Sequence, residues 1–348
     1  MSTKLTIDTK ALLHNLDVVK ELAKKRGVSV SVVTKAFVGN EALVKLLVQN
    51  GADSICEAHI ENLIKWDGIP AEKWLIRSPL MSETDETVRY ADISLVSEMS
   101  VLEKLSAAAE KQGKTHKTVI MLELGELREG CMPDELLPLC QACIALPGLE
   151  LYGIGTHLSS TNEIVPDEFN MTDLVVAAAG VENGLGVKLA VVSGGSSSAI
   201  KMLQEGTLPP NVNHLRIGEA ILLGNIVCYD VPFEGARDDA FTLTAEIFEL
   251  KEKPPAPWGK LADGSEYIKE DHLRKRALIS VGKQDVFSKY LVPLDPKIKI
   301  VGDTSDCFIA DVTDSEIKYK PGDTLCFRLR YNGLVSAMAS DYIEKVLV

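Results

Sequence analysis

Between about residues 30 and 220, short runs rich in β-branched residues alternate with stretches of amphipathic helical pattern. This repeat restricts the fold more than any other feature, because strand–helix–strand units bury both faces of a parallel sheet. Candidate strands are 28–35, 53–56, 74–77, 92–96, 118–124, 149–157, 189–193 and 214–217, with helical patterns at 41–49, 57–66, 100–112, 133–145, 168–182 and 197–203. Eight strands alternating with helices predict a (β/α)8 barrel, with a doubly wound open sheet as the runner-up. After about residue 225 the runs 241–248, 276–281, 297–302, 307–312 and 324–330 read as strands with few helical patterns between them. The expected organisation is an α/β chain: a barrel over 1–225, then a mostly β domain over 226–348, with a turn-rich loop around 254–265.

A length of 348 residues suits one large barrel plus a partner domain, and 46% apolar with 25% charged residues is ordinary globular composition. A net charge of −13 argues against non-specific binding to nucleic acid or anionic membrane. No apolar run reaches the roughly 20 residues that span a bilayer, and the start of the chain lacks the apolar core of a signal peptide. The 7 cysteines are scattered, so thiols in a reducing cytoplasm are expected. Cys140 and Cys143 form a C-x-x-C whose apolar helical setting reads as a buried helix face and not as a metal or redox site.

Chemistry is expected at the carboxyl ends of barrel strands. Lys35 ends the first candidate strand, with Gly39-Asn40 just beyond. A desolvated lysine there can lose its proton and condense with an aldehyde. The run Val192-Ser193-Gly194-Gly195-Ser196-Ser197-Ser198 follows another strand and opens a helix. It reads either as a phosphate cradle or as a tight turn with serine caps, since both share one geometry. Beside it in a barrel, His214-Leu215-Arg216-Ile217-Gly218-Glu219 could offer the amides of Gly218 and Glu219 to the same phosphate and point Arg216 inward. A lysine with two phosphate elements suggests pyridoxal phosphate. At two further strand ends, Arg128 suits a carboxylate, and His157 is either an acid–base group or a hydrogen-bonded structural residue.

Together these residues resemble the pyridoxal-phosphate-dependent amino-acid racemases of the alanine racemase type, in which a (β/α)8 barrel precedes a β domain. The likeness covers nearly the whole chain. It begins at Ile7-Asp8, Ala11-Leu12 and Asn15, which look like the family's opening I-D-x-x-A-L-x-x-N. The resemblance implies that Lys35 is the cofactor lysine, that Arg128 and His157 orient and tune the site, and that Ser196, beside Gly195, binds phosphate. It implies that Arg216 faces the pyridine nitrogen and that Tyr342 reaches the phosphate. Val301-Gly302 and Asp306 look like the V-G-x-x-x-D of the β domain. An arginine cannot accept the ring's proton, which disfavours transamination and suits removal and return of the α-proton. A homodimer with shared active sites is also implied.

Three departures stand out. Gly282-Lys283-Gln284-Asp285 replaces the family's G-Y-x-D-G, whose tyrosine is the second base. Met121 stands where many relatives carry a carbamylated lysine, leaving Glu123 as a possible partner of Arg128, and Gly39 replaces a tyrosine over the phosphate. The G-x-Q-D run resembles the ornithine/alanine branch, so ornithine or lysine is favoured over alanine. Asp285, Ser305 and Asp306 are candidates to bind the substrate, the acidic pair through its distal ammonium. Lys283, which must be buried to work as a base, is the first candidate for the second base, and Cys307 the second. Metal-dependent aldolases or dehydratases of the same fold are disfavoured because the β region offers one histidine, His272. A non-catalytic pyridoxal-phosphate homeostasis protein would lack the β domain.

Overall fold

The structure, a computed structural model, describes residues 3–229 and 231–348. It contains two compact units, Lys10–Asp238 and a second formed by the chain up to Thr9 together with Asp239–Val348.

The first unit is a closed barrel of eight parallel strands: Ser29–Val33, Ser54–Glu57, Glu72–Leu75, Ile93–Val96, His116–Met121, Leu149–Gly155, Val191–Ser193 and His214–Ile217. The first strand pairs with the eighth, Ser31 opposite Arg216, which closes the ring. Two-residue alternation sorts the apolar side chains. On the fifth strand Val119 and Met121 join Val33, Cys56, Trp74 and Leu95 in one buried cluster. Ile120 joins the cluster that also holds Leu102, Leu105, Leu136 and Cys140 from the outer helices. Cys140 and Cys143 lie on the buried face of helix Pro133–Ala145, as expected. Burial pushes the Cys140 thiol up to about 12, and Cys143 Sγ lies 2.9 Å from Thr118 Oγ1.

The first strand ends at Val33, two residues before the expected boundary. Both the N–H and the hydroxyl of Thr34 donate to the carbonyl of Cys56, at 2.9 and 3.0 Å. That turns the chain, and Lys35 opens a 3-10 turn, Lys35–Phe37, over the end of the barrel.

The second unit is an eight-stranded sheet. Its long strand Phe241–Lys253 pairs antiparallel with Thr3–Ile7, which pairs in turn, in parallel, with Glu344–Leu347. The amino-terminal strand therefore belongs to the β unit, a correction to the expected 1–225 barrel domain, and the other boundary falls at 238/239 instead of 225/226. Thr3–Ile7 alternates buried and more exposed side chains, with Leu5 and Ile7 fully buried, and this fits a sheet strand. The loop after Lys253 carries a small hairpin, Gly259–Lys260 with Glu266–Tyr267. No helix among the described residues is long and apolar enough to cross a membrane.

Asn15, buried in the first helix Thr9–Lys24, ties the barrel unit's two ends together. Its Oδ1 accepts from Arg237 N–H at 2.7 Å, while Nδ2 donates to the carbonyls of Arg237 at 2.8 Å and Ile221 at 3.1 Å. Asn15→Ala strands those backbone groups, and a loss of about 1–3 kcal/mol is expected in urea denaturation.

Candidate active site

Four barrel-strand ends place Lys35, Arg128, His157 and Arg216 within electrostatic reach of one another. Burial pushes the Lys35 ammonium down, and the charges of Arg128 and Arg216 push the same way against Glu129 and Glu57. Burial, followed by Arg128, Arg216 and Lys35, holds His157 well below its ordinary value, so its imidazole is neutral. Arg216 is 2% exposed. Its Nη2 donates to the carbonyl of Thr156 at 2.8 Å, its Nη1 donates to Ser193 Oγ, and its backbone N–H donates to Gly195 at 2.9 Å.

The serine-rich turn lies against this arginine. Gly195 has φ +104°, a conformation that only glycine takes without strain. Among the described residues none accepts a hydrogen bond from the N–H of Gly195 or Ser196, and Ser196 Oγ lies 3.3 Å from Ser198 Oγ. The hydroxyl of Thr156, fully buried, also has no partner among the described residues. These are donors without acceptors at one place. Gly218 differs from expectation: its N–H, with that of Ala220, donates to Ser197 Oγ at 3.1 Å, so it braces the two loops and is not open to an anion. Glu219 opens the short helix Glu219–Leu223.

The side-chain partner of Arg128 differs from expectation. Its guanidinium grips Glu129 through Nε and through Nη2, the latter at 2.7 Å. Glu123 instead accepts from the backbone N–H groups of Gly125 at 2.6 Å and Arg128 at 3.1 Å, shaping the loop without pairing the side chain. Met121 packs inside the barrel.

Two carboxylates escaped the sequence reading. Glu57, at the end of the second strand, is fully buried, and burial raises its carboxyl. It accepts from Ala58 N–H at 2.7 Å, and its Oε2 lies 3.4 Å from Oγ1 of Thr34, the residue directly before Lys35. Glu126 is 1% exposed and accepts the N–H groups of Ser159, Ser160, Thr161, Asn162 and Ile164. It thereby holds the loop after His157 against the loop that carries Arg128. No short motif announces such a nest, because its donors are backbone groups some 33 to 38 residues away.

In the β unit the two polar runs named from the sequence are adjacent. Lys283 N–H donates to the Thr304 carbonyl and Gln284 N–H to that of Ser305, each at 2.9 Å. A Cβ on Gly282 would lie 2.4 Å from the Ser305 carbonyl oxygen, so only glycine allows this approach. Lys283 is exposed and sits 3.4 Å from Asp303, so the unit itself does not give it the burial that a lysine base requires. Ser305 and Asp306 are exposed as well. Cys307 is half-buried, its Sγ 3.2 Å from Thr304 Oγ1. Asp285 is reassigned: it is buried, accepting from Ser340 Oγ at 2.6 Å and Gly282 N–H at 3.3 Å. Ser340 Oγ accepts in turn from the N–H of Tyr342, whose side chain is exposed. Asp285 thus braces the turns that carry Lys283 and Tyr342.

Burial alone would raise the Glu126 carboxyl, but the backbone donors bring it down to about 2. Because its folded value lies below the unfolded one, the stabilisation is complete above about pH 4.5 and is lost as pH falls towards 2. Glu126→Gln is expected to cost on the order of 3 kcal/mol at pH 7, with the difference shrinking below pH 4. Urea denaturation of both proteins across that range checks it, and a pH-independent difference would contradict it.

Residues 7–225 match the family model described as alanine racemase, N-terminal domain. The chain is 37% identical to the ornithine racemase of Acetoanaerobium sticklandii, covering 100% of both sequences. It is 32% identical to the lysine racemase of Thermotoga maritima, over 99% of this chain and 98% of the relative. The same fold occurs in the alanine racemase from Bartonella henselae solved with covalently bound pyridoxal phosphate, at a TM-score of 0.77, 17% identity and 100% coverage of both chains. The family model over most of the barrel and the full-length relatives show the family: the chain belongs to the alanine racemase family of amino-acid racemases.

Proposed function

We propose that the chain is a pyridoxal-phosphate-dependent racemase acting on free ornithine or lysine, and that it works as a cytoplasmic homodimer with shared sites. The observation that carries this reading is the convergence on Lys35 of two guanidinium groups and a neutral imidazole, next to a turn of unaccepted donors. Full-length similarity to an ornithine and a lysine racemase supports the substrate class.

The residues fit the cofactor. Lys35 Nζ would hold its aldehyde carbon, the N–H groups of Gly195 and Ser196 with the Ser196 hydroxyl would hold its phosphate, and Arg216 would face its pyridine nitrogen. Tyr342 of the β unit is a further proposed phosphate donor. Bound there, the cofactor would supply an electron-withdrawing ring that acidifies the Cα–H of the amino acid.

The chain's own groups divide the remaining work. Lys35 Nζ, driven towards its neutral form, takes and returns a proton on one face of Cα. Arg216 donates hydrogen bonds and cannot accept a proton, which favours simple proton return over transamination. Arg128, its plane fixed by Glu129, is suited to the substrate carboxylate. A second group serves the other face. Lys283 of the partner subunit, covered and so desolvated by dimer formation, is proposed ahead of Cys307 of the partner subunit. Ser305 and Asp306 remain the proposed contacts for the distal ammonium.

Chiral chromatography of single enantiomers incubated with the holoenzyme tests the function. Interconversion of ornithine and lysine well above that of alanine is expected, whereas equal or faster alanine racemisation would overturn the substrate assignment. Lys35→Ala is expected to lower kcat by roughly 10³-fold, and borohydride should no longer fix the cofactor to the protein. In the apoprotein, acetylation of Lys35 should rise with pH through a midpoint below 10.5. Because Arg128 pushes that midpoint down, Arg128→Ala should move it up, as peptide mapping by mass spectrometry would show.

A further inference from the structure

We infer that His214 is a positioning residue that acts through Ser193 to aim and hold the Arg216 guanidinium. The inference rests on the proposed role of Arg216, but its chemistry follows from hydrogen counting inside the barrel. His214 and Arg216 lie two residues apart on the eighth strand, so both side chains point to the same face. A guanidinium can only donate, so Ser193 Oγ must accept from Arg216 Nη1. The single hydroxyl hydrogen of Ser193 is then directed to His214 Nδ1, 2.9 Å away. An accepting Nδ1 leaves the proton of a neutral imidazole on Nε2, which donates to Ser31 Oγ at 2.7 Å. Ser31 Oγ lies 2.6 Å from Ser54 Oγ, where the column ends.

The charge at the mouth thus sets the direction of the hydrogen bonds from Arg216 through Ser193 and His214 to Ser31. Two further features lock the imidazole. Trp74 stacks on it, with ring centroids 4.5 Å apart and planes 9° apart, and Trp74 Nε1 donates to Glu72 at 3.0 Å. Burial and then the charge of Arg216 bring His214 down to about 3, so it does not add a second positive charge beside the arginine. Through this column Arg216 gains one fixed acceptor inside the barrel in addition to the Thr156 carbonyl.

Two substitutions separate aiming from mere packing. His214→Phe keeps a ring against Trp74 but removes the acceptor, while His214→Asn restores an acceptor near Nδ1. In His214→Phe holoenzyme the cofactor absorption band should shift and kcat should fall roughly tenfold, the effect of one lost buried hydrogen bond. His214→Asn should return the band towards wild type. Ser193→Ala, a smaller change, should reproduce the His214→Phe spectrum and decides the matter if the phenylalanine variant does not fold. Independently of cofactor, 15N NMR of histidine-labelled apoprotein should show the neutral Nε2–H tautomer for His214, assigned by its loss in His214→Asn. A neutral Nδ1–H tautomer, or wild-type band and kcat in folded His214→Phe and Ser193→Ala, would overturn the inference. A protein that takes up no pyridoxal phosphate would refute the proposed function, and the tautomer would then decide this inference by itself.

Discussion

A guanidinium buried at the seam of a closed barrel is the interaction on which the rest of the site depends. Arg216 sits where the first and eighth strands meet, and a buried charge of this kind is tolerated only when its donors are satisfied. Thr156 and Ser193, from the sixth and seventh strand ends, supply acceptors, so three consecutive strands are held in register by one side chain. Burial first, then the charges of Arg128 and Arg216, lower both Lys35 and His157, so the same guanidinium that ties the strand ends also contributes to the electrostatics of the mouth.

The mouth of the barrel is ordered by carboxylates that do not themselves look catalytic. Glu126 gathers five backbone donors from the loop after His157, and Glu123 shapes the loop before Arg128. Neither pairs with the guanidinium of Arg128, which is left to Glu129. Bonds of this kind hold the loops at the barrel mouth in place before any ligand arrives and so lower the cost of ordering them later.

Much of this was legible in the sequence because barrel strands are short, apolar and evenly spaced. The eight strands, Lys35, Arg128, His157 and the serine-rich turn fall where β/α alternation puts them, each within a few residues. The rest was not legible, for separate physical reasons. Thr3–Ile7 has a strand pattern, but pattern does not name the partner, and its partners lie more than 200 residues away. The N–H of Gly218 faces a serine because Ser197 points across the loop, a matter of rotamer and not of composition. Asp285 is polar and near a strand end like any binding residue, yet a hydroxyl from Ser340 claims it. The nest around Glu126 and the column under Arg216 join residues distant in the chain, so no local motif marks them.

The central claim is that Lys35, tuned by its own burial and by the cations around it, moves the α-proton of the substrate. Incorporation of solvent deuterium at Cα tests it most directly, with L-ornithine in deuterated water followed by NMR for the wild-type and Lys35→Ala holoproteins. Rapid incorporation with wild type and none above background with Lys35→Ala is the expected result. Deuterium entering at the wild-type rate in a folded Lys35→Ala protein would contradict the claim.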